Sequence, residues 1–146
     1  MAMTPVPVFA QTQLFKATNM TAIGACSTRA PTATGSLAGA NIIALTAAST
    51  NGLRVDSIQI QGNSAIIGTS PANGLVGIWM WDSAAATAYL IDEIAVASVA
   101  PSTTVATAVT IKYYTNPLLI PATNILYCSS TIATQPITVL AAGGVY

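Results

Sequence analysis

The sequence predicts an all-β fold: a two-sheet antiparallel sandwich, jelly-roll-like, of about eight strands. Three observations predict it. Val, Ile, Thr and Tyr gather in short runs separated by clusters of Gly, Pro, Asn and Ser. Several runs alternate apolar and polar residues with a period of two, as a half-buried strand does. Helix signals, by contrast, are nearly lacking. A length of 146 residues suits one domain with one core. The reading is therefore an extended N-terminal arm at 1–8 and a single β-sandwich over 9–146.

Taken in order, the arm holds Pro5 and Pro7 with no periodicity before Phe9. Strands follow near 9–15 and 19–27, then a small-residue stretch at 29–41 that reads as a surface segment. A strand at 42–48 precedes Asn51-Gly52, a dipeptide that signals a hairpin into the next strand, 53–61. Within 53–61, Ile58 and Ile60 share a face but Val55 is out of phase, so a bulge near Asp56–Ser57 is needed to bring all three inward. A loop at 62–74 leads to strand 75–81, where Val76, Ile78 and Met80 oppose Gly77, Trp79 and Trp81. Asp82-Ser83 begins the turn into 88–96. After a loop at 97–105 come strands near 106–114 and 125–131, and 136–141 closes the chain. In 125–131, Leu126, Cys128 and Ser130 alternate against Tyr127 and Ser129.

Charge narrows the function classes most. Only 5% of residues are charged, against about 25% in ordinary soluble proteins, and the eight cancel to zero. No basic patch is available to release counterions from nucleic acid, and no field to steer a charged ligand. So apolar and uncharged a chain is expected to have much of its surface covered by partners. Membrane insertion fits less well, because every hydrophobic run is broken within a few positions and the first residues do not read as a signal peptide.

Catalytic chemistry is not expected. The chain has no histidine, which removes Ser-His-Asp and Cys-His arrangements and histidine-bearing zinc sites. Asp92 and Glu93 are adjacent and point to opposite faces of a strand, so they cannot work as a carboxylate pair. Asp56 and Asp82 stand beside turn residues, where Asp caps a backbone turn. No phosphate-binding glycine pattern occurs, and no cofactor or metal is expected. Cys26 and Cys128 read as two buried thiols, with a disulfide left open. Trp79 and Trp81, with Tyr89 on the neighbouring strand, read as sheet packing, an assembly interface or a sugar platform. As an interface, the candidate residues are Pro5, Pro7, Phe9, Trp79, Trp81 and Tyr89.

A set of segments also carries a family resemblance. NGLRVDSIQIQ, VGIWMWD ending at Asp82, YLIDEI, the Pro-Ser-Thr-Thr stretch at 101–104, NPLLIPATNILYCSST and the closing ITVLAAGGVY follow one another across 51–146. GSLAGANIIALTAASTNG lies upstream. In order and pattern these resemble the small capsid decoration (cement) proteins of tailed bacteriophages. The resemblance implies a jelly-roll-like sandwich on the outer surface of the capsid of a virion. Its partners would be the major capsid protein and itself, as a homodimer or homotrimer. This chain departs from that pattern where Gln59, Gly77 and Tyr127 stand at outward positions that the family fills with Arg or Lys. The alternatives are a phage tail or fibre component with a receptor-binding role through Trp79, Trp81 or Tyr89, and a small carbohydrate-binding module.

Overall fold

In the computed structural model the described residues are 12–20, by backbone course alone, and 42–62, 74–97, 104, 106–107, 109–131 and 137–146. They form eight strands: β1 (Thr12–Met20), β2 (Ile42–Ala44), β3 (Leu53–Gly62), β4 (Gly74–Asp82), β5 (Thr87–Val96), β6 (Val109–Ile120), β7 (Ile125–Ser130) and β8 (Ile137–Val145). One sheet has the order β1-β8-β3-β6 and the other β2-β7-β4-β5, with every neighbouring pair antiparallel.

A simple construction generates this order. The chain doubles back at the β4–β5 turn into one long ribbon, in which β1 pairs β8, β2 pairs β7, β3 pairs β6 and β4 pairs β5. Rolling the ribbon adds two lateral pairings, β8 with β3 and β7 with β4, and yields two four-stranded sheets. This is a jelly roll, the expected fold. The rolling brings residues far apart in sequence into register, so most of the core is non-local.

That core lies between the sheets. Leu53, Val55, Ile58 and Ile60 of β3 and Ile137, Val139 and Ala141 of β8 face Val76 and Ile78 of β4, Ile94 and Val96 of β5, and Leu126 and Cys128 of β7. The alternation read in β3, β4 and β7 is the inward face of each strand. The bulge expected near Asp56–Ser57 is present: Val55 pairs Gly143 and Ser57 pairs Ala142, leaving Asp56 as the extra residue. It forces close backbone contact. A Cβ on Gly143 would fall on the Arg54 carbonyl oxygen, so only glycine fits there.

The turn from Asp82 also forms as expected. Its carboxylate accepts hydrogen bonds from Ala84 N at 2.9 Å and Ala85 N at 3.1 Å, which closes the tight connection from β4 to β5. Ser83 Oγ then donates to the Thr123 carbonyl at 3.3 Å, and Thr123 N donates to the Ser49 carbonyl at 2.8 Å. These bonds tie three connections together at one end of the sandwich.

Four expectations need correction. Asn51-Gly52 is no hairpin, because β2 pairs β7 and β3 pairs β8 and β6, in different sheets. Gly52 instead takes φ +94° in a connection that crosses from one sheet to the other, where a Cβ would stand 2.8 Å from the Ile120 carbonyl oxygen. The strands near 9–15 and 19–27 are replaced, within the described residues, by one continuous β1, since Lys16-Ala17-Thr18 contains no turn former. Strand β2 ends at Ala44, short of the expected 48, because the chain bends at Leu45–Thr46. There the Leu45 and Thr46 amides both donate to the Leu126 carbonyl, at 2.8 and 3.2 Å. Lastly, β6 continues through Asn116-Pro117 to Ile120. Proline is tolerated because β6 ends its sheet among the described residues and is irregular there, with 114–117 set against Asp56 alone.

Candidate interaction surface

The face of β4 that bears the tryptophans is turned away from the main core and carries a second apolar cluster of Ile42, Trp81 and Tyr127, each at most 2% exposed. Trp79 and Ala88 pack against it. Trp79 lies over Gly77, and its Nε1 donates to Ser129 Oγ on β7 at 2.9 Å. A side chain at Gly77 would collide with that indole, since a Cβ would sit 2.7 Å from Nε1. Gly77 and Tyr127, where the resembled family has Arg or Lys, are thus buried positions, and Gln59 is half-buried.

Of the candidate interface residues, Trp81 is packed inside the chain and offers a partner no surface. Trp79 is half-buried, and Tyr89 is 46% exposed beside Leu90 at 48%. Pro5, Pro7 and Phe9 lie outside the described residues, as does Cys26. Cys128 is fully buried, its Sγ donates to the Ile43 carbonyl at 3.6 Å, and burial pushes its thiol up to about 12.

Among the described residues, four of the six exposed large apolar side chains are on β6, which the sequence reading did not single out. Val109, Ile111 and Tyr113 are 48%, 44% and 73% exposed, and Leu119 is 67% exposed. The first three pair Gln61, Gln59 and Ser57 of β3, so all point away from the core. The intervening Lys112 pairs the buried Ile58 and therefore points inward, as does Tyr114. The phase is the reverse of the usual one, with the apolar residues outside. Reading Val-Thr-Ile-Lys-Tyr by alternation alone would send Val109, Ile111 and Tyr113 to the core, so no signal in the sequence reveals this stripe.

What holds that phase is a polar seam where β5 and β6 meet at the open side of the sandwich. Asp92 accepts a hydrogen bond from Tyr114 Oη at 3.2 Å, and Lys112 Nζ stands 3.6 Å from the same carboxylate oxygen. Burial, and next the nearby Asp92 charge, raise the Tyr114 phenol well above its ordinary value. Asp92 Oδ1 also accepts from the Glu93 amide at 2.8 Å. An extra residue on β5, Ile91, allows this, because the register shifts between Ile78, opposite Asp92, and Trp79, opposite Leu90.

At the far end of β6 an open recess of about 460 Å³ is lined by Arg54, Asn116, Pro117, Leu119 and Tyr146. Arg54 is already engaged with Asp56 at 2.7 Å. Among the described residues no cluster of three or more His, Cys, Asp or Glu could hold a metal, and no helix is long and apolar enough to cross a membrane.

No protein-family model matches the chain, and no curated protein matches it. Two solved structures are similar at 13% identity, a viral particle of IBDV (TM-score 0.31) and a mutant VP2 protein of infectious bursal disease virus in derived particles (TM-score 0.18). The matches cover 99% and 100% of this chain but 39% and 40% of those chains, so it spans about two fifths of their length. Likeness of that degree carries no argument about this protein.

Proposed function

We propose that the chain is a non-catalytic virion structural protein, a decoration (cement) protein that binds the outside of a phage capsid and strengthens contacts between major capsid protein subunits. The observation that carries the reading is an exposed apolar stripe on a sheet edge of a chain whose net charge is zero. Such a surface favours association. The jelly-roll order agrees with what the resemblance to cement proteins implies, although the same fold also serves lectins.

The mechanism is associative. Each copy covers apolar surface at about 25 cal/mol per Å², and binding to the assembled shell but not to free subunits stabilises the shell by mass action. Repetition over a closed lattice makes many modest contacts sufficient.

The test is the copy number of this chain in purified particles, measured against the major capsid protein. A ratio near one, or a simple fraction of it, is expected for a lattice component. A handful of copies per particle would favour a tail component instead. Absence from particles would overturn the virion reading altogether.

A further inference from the structure

We infer that the outer edge of β6 is a self-pairing site, which takes a second copy of this chain by antiparallel strand addition centred on Ile111. β6 ends its sheet among the described residues, so one row of backbone groups over 109–113 has no strand beside it. Natural edges are commonly blunted by charged side chains, outward or inward, by a proline or by a bulge. On β6 the charge is partly neutralised and the other two lie past the regular stretch. Lys112, whose side chain is 49% exposed on the core side of the strand, stands by Asp92, while Pro117 and the irregular 114–117 come after 109–113.

A two-fold axis through Ile111 places Ile111 opposite the partner's Ile111 and Val109 opposite the partner's Tyr113. The outward face then becomes a continuous apolar band across both copies, built from the three exposed side chains of each. On the inward face Lys112 meets the partner's Thr110, so no like charges stand directly opposite, and each Lys112 keeps its own Asp92. With four positive and four negative residues per chain, two copies carry no net repulsion. These features favour a second copy over a charged partner strand, and they make the edge self-complementary.

The experiment is sedimentation velocity of the full chain over a wide concentration range, with far-UV circular dichroism as a check on folding. A reversible dimer is expected. Ile111→Lys, which sets two lysines face to face, is expected to weaken it at least about tenfold. Gln61→Lys adds the same charge to the same face one strand away and is expected to leave the dimer intact. Register is tested by cross-linking under mild oxidation: Val109→Cys mixed with Tyr113→Cys is expected to give a disulfide-linked dimer, and neither variant alone. A chain that stays monomeric throughout, or a dimer indifferent to Ile111→Lys, would overturn the inference. So would a monomer whose Ile111→Lys variant fails only to attach to particles, since the edge would then serve a different partner. The inference concerns the isolated chain and stands or falls separately from the copy number in particles.

Discussion

Three positions show how single residues are constrained by what lies across the sheet. Gly143 faces the bulge at Asp56, and any Cβ there meets the Arg54 carbonyl. Gly143→Ala is expected to lower stability by about 1–3 kcal/mol in urea unfolding, the usual cost of forcing atoms into a full site. Trp81 is 2% exposed and its indole N–H has no hydrogen-bond partner among the described residues, so the ring stabilises by its area while the N–H is a cost. Trp81→Ala should therefore cost about 3–5 kcal/mol, whereas Trp81→Phe, which discards the orphan donor, should cost under about 1.5 kcal/mol. Equal losses would show that the indole nitrogen has a partner in solution. At Cys128, burial raises the thiol from its ordinary 9.0 to about 12. Between those values the unfolded chain releases the proton and the folded chain keeps it, so stability falls as pH rises through that window. Cys128→Ala should flatten the fall between pH 9 and 10 in urea unfolding, and a thiol reagent at neutral pH should label Cys128 only after unfolding.

At the scale of elements, what could be read in advance was whatever a strand carries within itself. The inward face of β4 follows from Val76, Ile78 and Met80 alone, and the bulge in β3 follows from Val55 being out of step with Ile58. The Asp82 turn is equally local. Pairing is not local, and there the reading failed. Asn51-Gly52 has the chemistry of a hairpin, but rolling the ribbon puts β2 beside β7. The exposed stripe of β6 was illegible for the same reason, since its phase depends on Asp92 of the other sheet. That seam predicts its own measurement. Tyr114→Phe should cost about 1.5–3 kcal/mol, the worth of one hydrogen bond to a charged group. Asp92→Asn should lower the cost of Tyr114→Phe in a double-mutant cycle, and strict additivity would mean that the 3.2 Å contact contributes nothing.

For the whole molecule, the scarcity of charge decides how association must respond to its surroundings. Of the eight charged residues, Arg54 and Asp56 engage each other, Lys112 stands by Asp92, and Asp82 caps a turn. Among the described side chains little is left over to attract or repel a partner. Under the proposed reading, both the pairing of copies and attachment to a shell rest on covering apolar surface such as Ile111 and Tyr113. Sodium chloride at 1 M screens exposed charges more than about 3 Å apart but has no such attraction to remove here. Raising it from about 50 mM to about 1 M should change the dimer fraction and the occupancy on particles by less than about twofold. Sulfate, which strengthens apolar burial by exclusion from protein surfaces, should increase both. A tenfold loss in sodium chloride would instead assign the attraction to charged groups. Because those groups are so few, Lys16 and Arg29, the two cations whose side chains lie outside the described residues, would then be the residues to replace first.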